Sequence, residues 1–287
     1  MSADRTHPGP VVTGFDGSQE AERAVRWAAA EAQSRGLGLL LAHAGDAAEV
    51  EPAQRRLASM AEALERSDPG VDVRTVVRGG TPEEVLTAVA DETDAAMIVL
   101  GESHTGLFAR AVSGSTESGV TKTAGRPVVV VRGEQPPPDG PVILGTDGSE
   151  QSAQAAGFAF DFAARHGLTV HAVHVARMPI WGPASEPLLG GPVLDPSPGL
   201  PQEVADELVA RQLKPWQERY PDVAVEMVHG IGPAAQALTV QSSEAALLVV
   251  GRSDRGDLRR LLLGSISDDA LHHAHCPVAV VRTQPVG

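Results

Sequence analysis

Two stretches carry the residue types that cradle an anion. The first is Ile98-Val99-Leu100-Gly101-Glu102-Ser103-His104-Thr105-Gly106, followed by Ser113-Gly114-Ser115-Thr116. The second is Val249-Val250-Gly251-Arg252-Ser253-Asp254-Arg255-Gly256, followed by Gly264-Ser265-Ile266-Ser267. Each reads as an apolar strand, a Gly-containing loop and a small-residue helix start, with the same spacing from strand-end Gly to Gly-Ser pair. Glycine lets backbone approach a ligand closely and take φ > 0. A Gly-Ser pair at a helix start offers free N–H groups, a hydroxyl and the positive end of the helix dipole. Together they suit a phosphate. Taken singly, such glycines are ordinary turn residues, and Ser115 and Ser265 ordinary caps. Two copies at one spacing, each accompanied by an Asp-Gly-Ser that follows another strand (Asp16 and Asp147), favour the cradle.

The elements that position these loops repeat as well. Pro10-Val11-Val12-Thr13-Gly14-Phe15-Asp16-Gly17-Ser18 recurs as Pro141-Val142-Ile143-Leu144-Gly145-Thr146-Asp147-Gly148-Ser149, and Gly36 and His43 match Gly167 and His174 at the same offset. Gly101, Gly114 and Pro127 match Gly251, Gly264 and Pro277 at a larger one, so the second half carries an insertion, Pro- and Gly-rich from Met178 to Gln202. The pattern predicts a first domain over 8–134, a Pro-rich linker over 135–141 and a second domain over 142–283. In the first half, strands are expected at Val11-Val12, Leu37–Ala44, Val71–Val77, Ala95–Leu100 and Val128–Val131. Helices are expected over Ser18–Arg35 and Pro52–Arg66, after Thr81-Pro82-Glu83-Glu84, and from Gly114-Ser115. This alternation predicts an α/β fold with a mostly parallel sheet in each half. In such sheets ligands bind beyond the carboxyl ends of the strands, where strand order reverses. With strands one and four adjacent there, as in a 3-2-1-4-5 order, each Asp would face its own Gly loop.

The chain's 287 residues carry a net charge of -14, which opposes a nucleic-acid or anionic-membrane partner. Arg252, Arg255, Arg259 and Arg260 are the one cluster that could form a local basic patch. A single cysteine, Cys276, fits a reducing cytoplasm. There is no apolar leader at the N-terminus and no apolar run long enough for a membrane span. Neither loop has the Gly-Lys of a Walker P-loop, and neither first turn has G-x-G-x-x-G. His272 and His275, with Cys276 nearby, make a conceivable metal site, though a helix end accounts for them better. His171 and His174 fall on opposite strand faces and cannot easily chelate together. Trp216 and Tyr220 are expected to pack in a core or interface. The insertion, with Trp181, is a lid, a partner surface or a plain surface loop.

On these residues the chain resembles the universal stress protein family, as a tandem member, over essentially its whole length. The family's nucleotide-binding motif is a strand-end Gly, two residues, Gly, nine residues, then Gly followed by Ser or Thr. Gly101, Gly114 and Ser115 match it in the first half, with Asp16 and His43-Ala44. Gly251, Gly264 and Ser265 match in the second, with Asp147 and His174-Val175. The ending His272-His273-Ala274-His275-Cys276-Pro277-Val278 also looks like the family's approach to its last strand.

The resemblance implies two Rossmann-like (adenine nucleotide alpha hydrolase-like) five-stranded domains, related by a pseudo-twofold and binding ATP with or without Mg2+. Asp16 and Asp147 would sit at the adenosine end, and the backbone of Ala44 and Val175 would meet adenine. The Gly loops and Ser115 or Ser265 would hold ribose and phosphates, with Thr116 and Ile266 nearby. The motif's middle Gly is His104 in one half and Asp254 in the other. A carboxylate at Asp254 opposes phosphate unless arginines or a metal compensate, whereas His104 can donate to it. Three functions are therefore carried forward: a cytoplasmic, non-enzymatic ATP-binding stress regulator; a degenerate member acting through protein contacts; and a slow ATP hydrolase. The last strands of the two halves would pair across the pseudo-twofold and protect each other's edges. A homodimer of the tandem chain is a further expectation.

Overall fold

Each half of the chain opens on a short apolar strand that lies inside the sheet, not at its edge. The computed structural model describes residues 9–102, 116–132, 137, 139–176, 202–252 and 265–282. The first half runs β1 (Val11–Gly14), α1 (Gln19–Arg35), β2 (Leu39–Ala44), α2 (Val50–Ser67), β3 (Val73–Arg78), α3 (Pro82–Glu92), β4 (Met97–Gly101), α4 (Thr116–Thr123) and β5 (Val128–Val131). The second runs β6 (Val142–Gly145), α5 (Glu150–His166), β7 (Val170–Ala176), α6 (Gln202–Arg219), β8 (Val225–Ile231), α7 (Ala234–Gln241), β9 (Leu247–Arg252), α8 (Ser265–His273) and β10 (Val278–Arg282). No described helix is long and apolar enough to cross a membrane.

Local chemistry sets these boundaries. Ser18 is extended and its side chain accepts the Ala21 N–H, while Gly36, at φ 65°, closes α1 in the left-handed conformation. Ser149 and Gly167 do the same for α5. Thr81 and Glu84 form a reciprocal capping box with Pro82 at the helix start. The Thr81 backbone N–H, then its hydroxyl, hold the Glu84 carboxyl below its usual range. The sequence pattern starts the second helix at Pro52. It begins at Val50 instead, led in by a 3-10 turn over Ala47–Glu49, and Pro52 occupies the first turn, where its missing N–H costs nothing.

The strands form one ten-stranded sheet in the order β3-β2-β1-β4-β5-β10-β9-β6-β7-β8. Each half is a parallel 3-2-1-4-5 sheet, and the halves meet where β5 and β10 run antiparallel, Ala279 opposite Val129. The expected mutual protection of the two last strands is therefore observed. Successive strand residues feed different cores: Met97, Val99, Val129 and Val131 one, Ile98, Leu100, Val128 and Val130 the other. Burial on both faces is why these strands are continuously apolar.

The halves also touch through α1 and α5. Glu31 is 1% exposed. It accepts from Arg35 Nε at 2.5 Å and pairs with His166 Nε2 of the other half at 2.9 Å. Arg35 continues to Asp161 at 2.6 Å. Burial pushes the Asp161 carboxyl up, but the Arg165 hydrogen bond and the charges of Arg35 and Arg165 outweigh it and hold the group below its usual range. Trp27 stacks on Phe162 beside this cluster. Trp216 and Tyr220 pack against the same core, with the Trp216 indole seated on Gly157 of α5.

Candidate functional site

The sequence places one acidic turn and one glycine at the ends of two strands, and the sheet makes those strands neighbours. β1 pairs with β4, Thr13 opposite Val99, so the Asp16 turn and Gly101 emerge side by side where strand order reverses. In the second half β6 pairs with β9 and brings Asp147 beside Gly251 in the same way. The contact between the two features is close. A Cβ at Gly101 would stand 2.4 Å from the Glu20 carbonyl oxygen and 2.9 Å from the Ala21 nitrogen. The glycine thus lets the end of β4 press against the first turn of α1.

The acidic turn is built alike in both halves. The Asp16 carboxylate accepts the Ser18 N–H at 2.9 Å, and that of Asp147 accepts the Ser149 N–H at 3.0 Å. Gly17 and Gly148 take φ 88° and 75°, which a side chain would resist. The turn is then held from the next strand. His43 Nδ1 donates to the Phe15 carbonyl at 2.8 Å, and His174 Nδ1 to that of Thr146 at 3.1 Å. A carbonyl only accepts, so the proton lies on Nδ1. His43 is 2% exposed, and its Nε2 has no hydrogen-bond partner among the described residues. That atom sits 3.0 Å from where Gly45 would carry a Cβ, with the Glu49 carboxylate 2.9 Å from the same point. A buried, unpartnered acceptor at the end of β2, where only a glycine fits between it and the Glu49 carboxylate, marks that strand end as a place where a ligand donor would satisfy a polar atom.

The other site residues fall as follows. Ala44 and Val175 end or nearly end β2 and β7, beside the Asp turns. Thr116 is the first described residue of α4 and Ser265 that of α8, and Ile266 follows exposed. Ser267 Oγ donates to the Gly251 carbonyl at 3.2 Å, which ties the start of α8 to the end of β9. His104, Gly114, Ser115, Asp254 and Gly264 lie outside the described residues, as do residues 178–201 of the insertion. Among the described residues no group of three metal-ligating side chains stands together, and His272 faces Asp268 on its own helix.

One expectation is corrected. Arg252 belongs to no basic surface patch: it is 2% exposed, and its guanidinium donates to the Thr121 and Lys122 carbonyls of the first half. A cation this deeply buried stays only where acceptors meet it, and a helix end supplies them. Sequence reasoning also missed Ser267 and the second-half network of Thr146, Ser152 and Gln212. The internal repeat carried a signal for that network, since Phe15 and Ala21 occupy the positions matching Thr146 and Ser152.

Comparison with known proteins agrees with this duplicated architecture. The sequence model of the universal stress protein family matches residues 9–132 and again 140–282. A universal stress protein of Mycobacterium tuberculosis strain H37Rv is 35% identical over 305 aligned positions, covering 98% of this chain and 99% of the relative. One from Mycolicibacterium smegmatis is 34% identical, covering 95% and 96%. Among solved structures, a universal stress protein from Archaeoglobus fulgidus superposes with a TM-score of 0.65 at 16% identity, over 95% of this chain and 98% of that one. A putative universal stress protein from Pseudomonas aeruginosa gives 0.59 at 19%, over 95% and 91%. Both show the fold.

Proposed function

The chain belongs to the universal stress protein family, and from that premise we propose that it is a cytoplasmic adenine-nucleotide-binding regulator taking ATP, with or without Mg2+, at the crevices of its two halves. One observation carries the reading: at each reversal of strand order an acidic turn, a strand-end glycine and the end of the second strand converge, with a helix start following the loop.

The described residues fit such a ligand. His43 Nε2 is a buried acceptor without a donor among the described residues, at the end of β2 beside Gly45. The Ala44 and Val175 backbones would face the base, Asp16 and Asp147 the adenosine end. Gly101, Gly114 and Ser115 in one half, and Gly251, Gly264 and Ser265 in the other, would hold ribose and phosphates. The N-terminal ends of α4 and α8, which follow these loops, would favour the negative charge. The bound nucleotide would supply a charge-bearing signal that changes with cellular energy state. The proposed role is sensing, without turnover.

Ligand that binds only the native state raises its stability by about 2.7 kcal/mol at a hundredfold excess over Kd. Thermal unfolding of nucleotide-free protein in millimolar ATP, with and without Mg2+, should show that stabilisation. Asp16→Ala should reduce it. An unchanged midpoint at saturating ATP would sink the nucleotide reading and leave a role through protein contacts.

A further inference from the structure

The two halves differ at the residue following each strand-end glycine: Glu102 in the first, Arg252 in the second. Both positions sit at the root of a Gly-containing loop, and both reach the pseudo-twofold. Arg252 Nη1 donates across it to the Thr121 carbonyl at 2.6 Å and the Lys122 carbonyl at 2.7 Å. These acceptors belong to the last turn of α4, the helix that leaves the first loop. A second contact runs the other way. Arg132, 6% exposed at the end of β5, donates through Nη2 to the Glu102 carboxylate and, at 3.0 Å, to the His272 carbonyl. His272 lies in the last turn of α8, the helix that leaves the second loop.

Each loop root is therefore tied to the far end of the helix that follows the other loop. We propose that Arg252 and Arg132 are positioning residues that couple the two nucleotide sites, an inference that rests on reading both crevices as such sites. The physical basis is that carbonyls in the last turn of α4 and of α8 are each met by a guanidinium from the opposite half, and helix-end carbonyls need such partners. A phosphate at the N-terminus and a guanidinium at the C-terminal carbonyls stabilise opposite ends of one dipole. Order gained at one end is order the other ligand no longer has to impose. Filling the first crevice firms α4 and with it the seat of Arg252, which stands at the root of the second loop. Filling the second firms α8, the seat of Arg132, which holds Glu102 at the root of the first. Coupling of this kind is reciprocal by thermodynamic necessity.

The test uses the full chain, its Arg252→Gln and Arg132→Gln variants, and the milder Arg252→Lys in case the first fails to fold. Hydrogen exchange without ligand is read first. Arg252→Gln should speed exchange in the first-half segment 116–123, and Arg132→Gln in the second-half segment 265–273, with α3 and α7 unchanged. Calorimetric titration with ATP follows. The parent chain should show two sites whose affinities depend on each other by about fivefold or more, and both Gln variants should bring that factor to about one. Arg252→Lys, which keeps the charge, should retain part of it. A single ATP site or independent sites in the parent chain, or faster exchange confined to the mutated half, overturns the coupling while leaving nucleotide binding intact. Absence of ATP binding in every chain overturns the nucleotide reading and the coupling with it.

Discussion

Replacing Gly101 by alanine separates the structural from the ligand-binding use of that residue. The added methyl would lie 2.4 Å from the Glu20 carbonyl oxygen and 2.5 Å from its carbon. Neither atom can rotate away, because this first turn of α1 is pinned by the Ser18 cap. β4 and α1 must therefore move apart. Overpacking of this kind costs about 1–3 kcal/mol, and the stiffer unfolded chain returns about 0.4–1, so a net loss of about 1–2 kcal/mol is expected. With an unfolding entropy near ~2.1 cal/mol/K per residue, the whole chain should melt about 2–3 °C lower. Gly36→Ala is the control. Its site has φ 65° and open space around it, so the substitution costs only left-handed strain, about 1–2 kcal/mol. Differential scanning calorimetry should find similar losses in both variants. ATP affinity should fall about tenfold or more in Gly101→Ala alone, the equivalent of one charge-assisted hydrogen bond, because only there does the Asp16 turn shift against the loop root. A Gly101→Ala chain with parental stability and parental affinity would refute the reasoning.

Other substitutions probe the frame. Burial pushes the Cys276 thiol to about 12, so at pH 8 only about one thiol in ten thousand is ionised; Ellman's reagent should label it no faster than the chain unfolds, and rapid labelling of native protein would contradict its placement. Because the folded Asp161 carboxyl lies below its unfolded value, its contribution is complete above about pH 4 and fades as pH falls through the folded value; Asp161→Asn should flatten that acid limb in urea titrations, and an unaltered limb would count against the α1–α5 cluster. Gly157→Ala would set a methyl 2.6 Å from the Trp216 ring. Its overpacking cost of about 1–3 kcal/mol should exceed the helix-propensity gain of about 1 kcal/mol, so a stabilised variant would argue against that contact.

Much of the frame was legible because its signals are local or repeated. Ser18 and Gly36 cap α1 as their chemistry dictates, and Thr81, Pro82 and Glu84 open α3. The pairing of β5 with β10 followed from two apolar last strands that each needed an edge partner. The start of α2 was not legible, since neither Asp46 nor Glu49 makes a side-chain cap and nothing local marks the first turn. Gly101 stood out for its type and spacing, and anion approach explained it on sequence grounds. The structure adds a nearer reason, the backbone of Glu20. Arg252 could not be placed at all. The stretch after it, Ser253-Asp254-Arg255, is polar and charged, which suggests a surface, whereas its partners lie 131 and 130 residues away. The link between Glu31 and His166 spans 135 residues and is equally invisible to periodicity.

The most direct measurement is calorimetric titration of the purified chain with ATP, with and without Mg2+, after mass spectrometry has established that no nucleotide is carried over. Saturable binding at one or two sites per chain, weakened by Asp16→Ala, is the predicted result. Folded, nucleotide-free protein that gives no heat of binding at millimolar ATP would contradict it and make the paired crevices a relic of shared ancestry.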